Sequence, residues 1–310
     1  MLDLNNMAWE LLQGMVKDKD ILKLKVHQSK GGALLVDAGV ENRGSINAGI
    51  MISKMLLSGL ADVRVNFFNG MSYVQVISDH PLVSCMASQY AGWKILVGKF
   101  NGMGSGPARI LGSKEPIIKK FGWSAKHDKA VLFIESRQIP GQEVVEYISE
   151  SCKVKENAIG IVFAPSGSIV GSIQVPARVV ETGLHKMMEI GYNISNIVSA
   201  IGTAPIPPVG KNDLEAIGRL NDSIIYGGEI VYMVKDDKDI SEFLKKIPSC
   251  NSKDYGQPFM ELFRSVGGDF YQIDPLIFSP ASVTMVSLSN GKSFHAGSID
   301  EKLLKKSFGL

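Results

Sequence analysis

Two periods of hydrophobicity alternate along this chain, and the changes between them mark its elements. Leu4, Met7, Ala8, Leu11, Leu12 and Met15 fall at helical spacing behind Asp3, which predicts an amphipathic N-terminal helix. Residues 33–37 read as a strand, followed by a glycine-rich section from Gly39 to Gly49. Residues 63–67 and 73–77 alternate with period two around Asn69-Gly70 and predict a hairpin-like pair, with a loop longer than the tightest turns. Next come a helix over 81–89 opened by Asp79-His80, a strand over 94–97 and a glycine-rich turn over 101–109. The apolar runs 130–135 and 158–163 are of strand length, and helices follow over 141–152 and 176–189. Beyond 196–201 and the stiff Ala204-Pro-Ile-Pro-Pro208 lie a helix over 213–221, a strand over 229–234, a helix over 258–266 and a hairpin over 281–296 around Asn290-Gly291. Neighbouring hairpins combined with strand–helix alternation predict an α+β (mixed α/β) fold. The expected division is an N-terminal α/β domain over 1–125, to which the segment 275–310 could return, and a second α/β domain over 126–274.

Composition narrows the function classes. The chain has 310 residues, 45% hydrophobic and 21% charged, which suits a globular protein of two domains with a cleft between them. A formal net charge of +2 provides no field for nucleic acid, and Lys119-Lys120 is too short to be a basic stripe. No apolar run approaches the roughly 20 residues that span a bilayer, and the N-terminus carries no signal-peptide core. A cytoplasmic protein is expected. The three widely spaced cysteines, Cys85, Cys152 and Cys250, read as free thiols in a reducing compartment. His27, His80, His127, His185 and His295 are scattered, with no His-x-x-x-His and no Cys-x-x-Cys, so no local metal signature is present.

The stretch Gln174-Val-Pro-Ala-Arg-Val-Val-Glu-Thr-Gly183 carries the clearest chemistry. Pro176 suits the first turn of a helix, and Arg178 and Glu181 follow at i, i+3 on one face. Before it runs the small, hydroxylated Ala164-Pro-Ser-Gly-Ser-Ile-Val-Gly-Ser172. A substrate loop feeding a helix whose charged pair activates water is one reading. A solvated surface ion pair worth a few tenths of a kcal/mol is the other. Gly102-Met-Gly-Ser-Gly-Pro-Ala-Arg109 matches neither a P-loop nor a dinucleotide fingerprint, and reads as an anion-binding helix start or a tight turn. It shares Pro-Ala-Arg with the later segment. Gly202-Thr-Ala-Pro-Ile-Pro-Pro208 reads as a rigid linker or cleft wall. Arg219, Asn221 and Asp222 precede Tyr226-Gly-Gly228, where helix-end capping is the simple reading.

These segments together carry a resemblance. Val36-Asp-Ala-Gly-Val-Glu41, Asp79-His-Pro81, Gly104-Ser-Gly-Pro-Ala-Arg109, the 164–183 stretch, Gly202-Thr-Ala-Pro205, Ala216-Ile-Gly-Arg-Leu-Asn-Asp222, Tyr226-Gly-Gly228, Asp254-Tyr-Gly-Gln-Pro-Phe259 and Phe270-Tyr-Gln-Ile-Asp-Pro275 stand in family-like order. The chain resembles the methenyltetrahydromethanopterin cyclohydrolases over most of its length. Ser166 and Ser279 stand where relatives often carry Thr and Ala. The resemblance implies two α/β-type domains flanking a pterin-binding pocket, a homotrimer, and reversible hydrolysis of a methenyl-pterin to a formyl-pterin in one-carbon metabolism. The pterin is substrate, and no cofactor or metal is implied. Glu181 matches the family's water-activating glutamate. Arg178 would orient it and favour its ionised form through opposite charge. Substrate contacts are expected from Ser166, Ser168, Ser172 and Gln174, with Lys94, Lys99 and Arg109 as electrostatic candidates and Thr203 and Asp222 beside them. A non-catalytic pterin-binding protein, or a cyclohydrolase acting on a folate analogue, are the alternatives. Methane formation, its reversal and formaldehyde oxidation all remain open as pathways.

Overall fold

A computed structural model describes residues 2–124, 128–268 and 272–310, so His127 and residues 270 and 271 of the Phe270–Pro275 motif lie outside the described residues. The chain forms two compact units, one of residues 1–61 and 83–174, the other of 62–82 and 175–310. Each is built on a six-stranded sheet.

The first unit's strands are β1 (Lys25–Gln28), β2 (Leu34–Asp37), β5 (Ala91–Val97), β6 (Phe100–Ser105), β7 (Ala130–Glu135) and β8 (Ile159–Ala164), in the order β1-β2-β8-β7-β6-β5. The runs in β7 and β8 are apolar without alternation because both faces are covered, as parallel strands require. On one face Val144, Val145 and Ile148 of the helix Gln142–Cys152 pack on Leu132, Ile134, Ile161 and Phe163. On the other, Ala8, Leu12 and Met15 of Leu4–Lys17 and Ile52, Met55 and Leu56 of Ile46–Leu56 pack on Val36, Val131, Phe133 and Val162. The N-terminal helix sits so close that a Cβ on Gly160 would strike Leu12.

The second unit holds β3 (Ala61–Phe68), β4 (Met71–Ser78), β9 (Ile197–Pro205), β10 (Glu229–Val234), β11 (Ser282–Ser287) and β12 (Ser293–Gly297), in the order β12-β11-β10-β9-β4-β3. In this sheet β10 and β11 pair in parallel, whereas β10–β9, β9–β4 and β11–β12 are antiparallel. Helices Asp213–Gly227, Phe259–Ser265 and Glu301–Phe308 close an apolar cluster around Ile225, Tyr226, Phe259, Leu262, Leu304 and Phe308.

Most elements fall where periodicity places them, and the differences have local causes. The hairpin β3–β4 closes on two residues, Asn69 and Gly70, both at positive φ as the tightest turns demand; its strands run one or more residues further than the alternation shows. The glycine-rich 101–109 segment is mostly strand β6, where Cβ atoms on Gly102 and Gly104 would meet Ile134 and Ile95 of the neighbouring strands. It is therefore no anion-binding loop, and the helix after it spans only Arg109–Gly112. Residues Leu82–Gln89 form a π-helix. Strand β9 continues through Ala204 and Pro205, and the helix from Asp213 runs on to Gly227. The units are also drawn differently from a division at residue 125. Pairing of Met103 with Glu135 joins β6 to β7 across that point, and β11 and β12 of the C-terminal segment extend the second sheet. Such pairings are non-local and leave no trace in periodicity.

Asp222 ties the second unit's helices together. Its Oδ1 accepts the Phe259 N–H at 2.9 Å and its Oδ2 accepts the Ser307 hydroxyl at 2.6 Å. Burial pushes its carboxyl up to about 7 from an ordinary 3.8, against the lowering effect of those two hydrogen bonds. The folded state thus holds a proton that the unfolded chain releases. Stability from this group is full below about pH 4 and is lost as pH rises to about 7. In Asp222→Asn the amide oxygen still accepts from Phe259 and the amide nitrogen can donate to Ser307. The melting temperature of that variant relative to wild type should climb between pH 4 and 7 and level off above. A difference independent of pH would show that Asp222 is ionised throughout.

Candidate functional site

Polar groups of the first unit collect where its parallel strands leave the apolar layer. β2, β8 and β7 run in the same direction, with Asp37 in register with Phe163 and Glu135 with Ala164, so their C-terminal ends form one edge. Ligands of α/β sheets are held at such an edge. From β8 the chain enters Pro165-Ser-Gly-Ser168 and turns into the helix Ile169–Gln174. Ser168 organises the turn: its Oγ accepts the Gly171 N–H at 2.9 Å and donates to the Pro165 carbonyl at 2.7 Å. Gly171 is needed there because a Cβ would run into the carbonyl oxygens of Ser166 and Pro165. Glu135 then fastens both ends of the loop. The Ser166 Oγ donates to its Oε1 at 2.6 Å and the Gln174 Nε2 reaches its Oε2 at 3.4 Å. Ser172 is buried one turn along the same helix. The structure therefore brings the four expected loop residues together and adds Glu135, which sequence reasoning passes over. The signal was a carboxylate closing a six-residue apolar strand.

The charged pair belongs to the second unit. Pro176–Arg178 forms a single 3₁₀ turn and the helix Val179–Glu189 follows. The Arg178 Nη1 donates to the Glu181 Oε2 at 3.0 Å. Arg178 and Glu181 are only 9% and 8% exposed. The solvated surface pair that spacing alone allowed is thereby ruled out. Close packing holds the helix in place. A Cβ on Gly202 of β9 would stand 2.8 Å from side-chain carbons of Val179 and Val180, and one on Gly183 would strike the Tyr232 hydroxyl. That hydroxyl donates to the Val180 carbonyl at 2.9 Å. Further along, the buried Lys186 donates to the Leu276 carbonyl at 2.5 Å, and burial lowers its pKa.

The remaining expected contacts are spread over the molecule. Lys94 on β5 pairs with Met103, which pairs with Glu135, placing it two strands away, about 10 Å across the sheet. Lys99 is exposed in the β5–β6 turn, where its carbonyl accepts from Gln138. Arg109 is fully buried: Nε reaches Glu115 Oε1 at 2.8 Å, Nη2 pairs with the other oxygen, Nη1 contacts the Ala87 and Ser88 carbonyls, and the guanidinium covers the Tyr90 ring. Its guanidinium locks the π-helix to the segment after β6. Thr203 lines a cavity of about 360 Å³ on the second sheet with Tyr73, Gln75 and Glu229. Asp222 serves the helix cluster described above. The thiols of Cys85 and Cys152 are buried, and burial pushes Cys152 up to about 12, which removes it as a nucleophile. Among the described residues no three His, Cys, Asp or Glu side chains are grouped to hold a metal ion, and no helix is long and apolar enough to cross a membrane.

Comparison with known proteins covers both units. The family profile described as Cyclohydrolase (MCH) matches residues 3–308. A protein of Methanococcoides burtonii named methenyltetrahydromethanopterin cyclohydrolase is 40% identical over 317 residues, covering 100% of this chain and 99% of its own. One of the same name from Methanosarcina mazei is 40% identical over 318 residues, with 100% and 99% covered. Another from Methylobacillus flagellatus is 37% identical over 310 residues, with 98% and 95% covered. A match of that length and identity, spanning the serine loop and the Arg178–Glu181 helix alike, places this chain in the cyclohydrolase (MCH) family.

Proposed function

We propose that this protein hydrolyses 5,10-methenyltetrahydromethanopterin reversibly to the 5-formyl compound in one-carbon metabolism. Full-length relatives of that name carry the reading, and the buried Arg178–Glu181 pair supplies chemistry that fits it. The methenyl carbon joins two nitrogens as a cationic amidine, already electrophilic, so the reaction as drawn uses no metal or cofactor. Water adds to that carbon and loses a proton to Glu181 as it does so. The bond to N10 then breaks and the carbinol oxygen becomes the formyl carbonyl. Of the two protons that water brought, one ends on N10 and the other is released. Arg178 holds the Glu181 carboxylate in place and offsets its charge.

Substrate recognition is assigned to the loop at the end of β8. Ser166, Ser168 and Ser172 present hydroxyls, and Gln174 an amide, of the kind that an amino-pyrimidine edge requires. Lys94 and Lys99 lie at the sheet's margin as cations for the substrate's anionic tail. Thr203 and Asp222, expected as further contacts, are retained for test by substitution. The resemblance also supports a homotrimer in the cytoplasm. Light scattering on the purified protein should give a mass three times that of the chain.

The decisive variants concern the helix. Glu181→Gln keeps a partner for Arg178 but no base, and kcat for loss of methenyl absorbance should fall by about 10²- to 10⁴-fold with KM little changed. Unchanged kcat would remove Glu181 from the chemistry. Gly183→Ala leaves both charged residues intact and pushes the helix off Tyr232. It should lower kcat by roughly tenfold or more, since small displacements of a reacting group cost rate steeply. Wild-type kcat in a folded Gly183→Ala would show that the helix position is not critical.

A further inference from the structure

Asp37 takes no part in the chemistry above, yet its side chain is fully buried at the end of β2. Its carboxylate accepts four successive backbone N–H groups. Gly39 and Val40 donate to Oδ1 at 2.9 and 2.7 Å, Glu41 and Asn42 to Oδ2 at 2.8 and 3.3 Å. Charge-assisted bonds of this kind are the stronger class. Four of them on one side chain wind residues 38–42 tightly over the strand end instead of letting the chain run outward.

The wound segment lies against the serine loop. Asp37 is in register with Phe163, and the Ala38 N–H donates to the Phe163 carbonyl at 3.0 Å. A Cβ on Gly39 would stand 3.0 Å from the Cβ atoms of Ala164 and Ser168 and 3.1 Å from Pro165 Cδ. Gly44, at φ +64°, approaches Val170 as closely: a Cβ there would meet its Cγ2 at 2.8 Å and the Ala38 carbonyl at 2.5 Å. Two glycines thus let residues 38–44 pack on residues 164–170 with no side chain between them.

We propose that Asp37 is a positioning residue: it winds the segment 38–44 into the wall that holds the Ser166–Ser172 loop in its binding conformation. The inference rests on the reading that this loop takes the substrate. Asp37 acts through its backbone partners and touches no reacting atom. A carboxylate serving only the stability of the first unit would lower the folded fraction and leave the KM of the folded enzyme alone.

The test combines hydrogen exchange with steady-state kinetics on the intact protein. In Asp37→Asn the amide cannot accept on both sides, so two N–H groups lose their partner. Amides 39–42 and also 166–172 should exchange at least about tenfold faster, and KM for methenyltetrahydromethanopterin should rise about tenfold with kcat within about threefold. Gly39→Ala keeps the carboxylate and presses its Cβ against Ala164, Pro165 and Ser168, shifting the loop slightly, and it should raise KM in the same direction if Asp37→Asn fails to fold. Faster exchange confined to 39–42, or wild-type KM in a folded Gly39→Ala, would overturn the proposal. Ser166→Ala separates this failure from that of the loop itself: wild-type KM in that variant strikes the loop's binding role and leaves the coupling to be judged by exchange alone.

Discussion

Burial of two parallel strands on both faces is the constraint on which the first unit depends. β7 and β8 cannot carry a polar side chain until their last residue without placing it in an apolar layer, where an unpaired polar group costs several kcal/mol. Polarity is therefore exported to the strand ends. Glu135 is the first polar side chain of β7, and the serines begin two residues after Ala164 closes β8. Asp37 performs the same exit from β2. Three neighbouring strands thus release carboxylates and hydroxyls at a single edge, and the hydrogen bonds among them follow from that crowding.

The second unit meets a different difficulty, since a helix must bring a charged pair to a place with little water. Desolvating a carboxylate and a guanidinium is costly, and a buried ion pair is weak ground for stability. The compensation is geometric. At i, i+3 the helix backbone itself sets the spacing of Arg178 and Glu181, so little side-chain freedom is lost in pairing them. Gly183 and Gly202 let the helix approach its sheet, and the Tyr232 hydroxyl fixes it there. The seat of the helix thus fixes where the buried pair stands.

Much of this was legible in the chain because much of it is local. The N-terminal helix, the strands β7 and β8, and the Pro176 entry to the Arg178–Glu181 helix all follow from periodicity, caps and spacing. Strand partnership was not legible. Nothing local to residues 61–78 says that this hairpin joins β9, and nothing in Gly102 or Gly104 distinguishes a strand crossed by Ile134 and Ile95 from a loop. Glu135 and Asp37 were hidden for the same reason. Their partners lie in other segments or in backbone amides, which have no sequence identity.

The two Pro-Ala-Arg segments show how far a motif goes before its surroundings decide. Both arginines lie close after a turn and both pair with a glutamate. Arg109 reaches Glu115 through both oxygens, covers Tyr90 and contacts two carbonyls of the π-helix, which spends its guanidinium on joining chain segments. Arg178, at the N-cap, pairs with Glu181 in the first turn of the helix that follows it. The motif thus sets an arginine beside a turn, and the segment that supplies the glutamate decides what the pair joins.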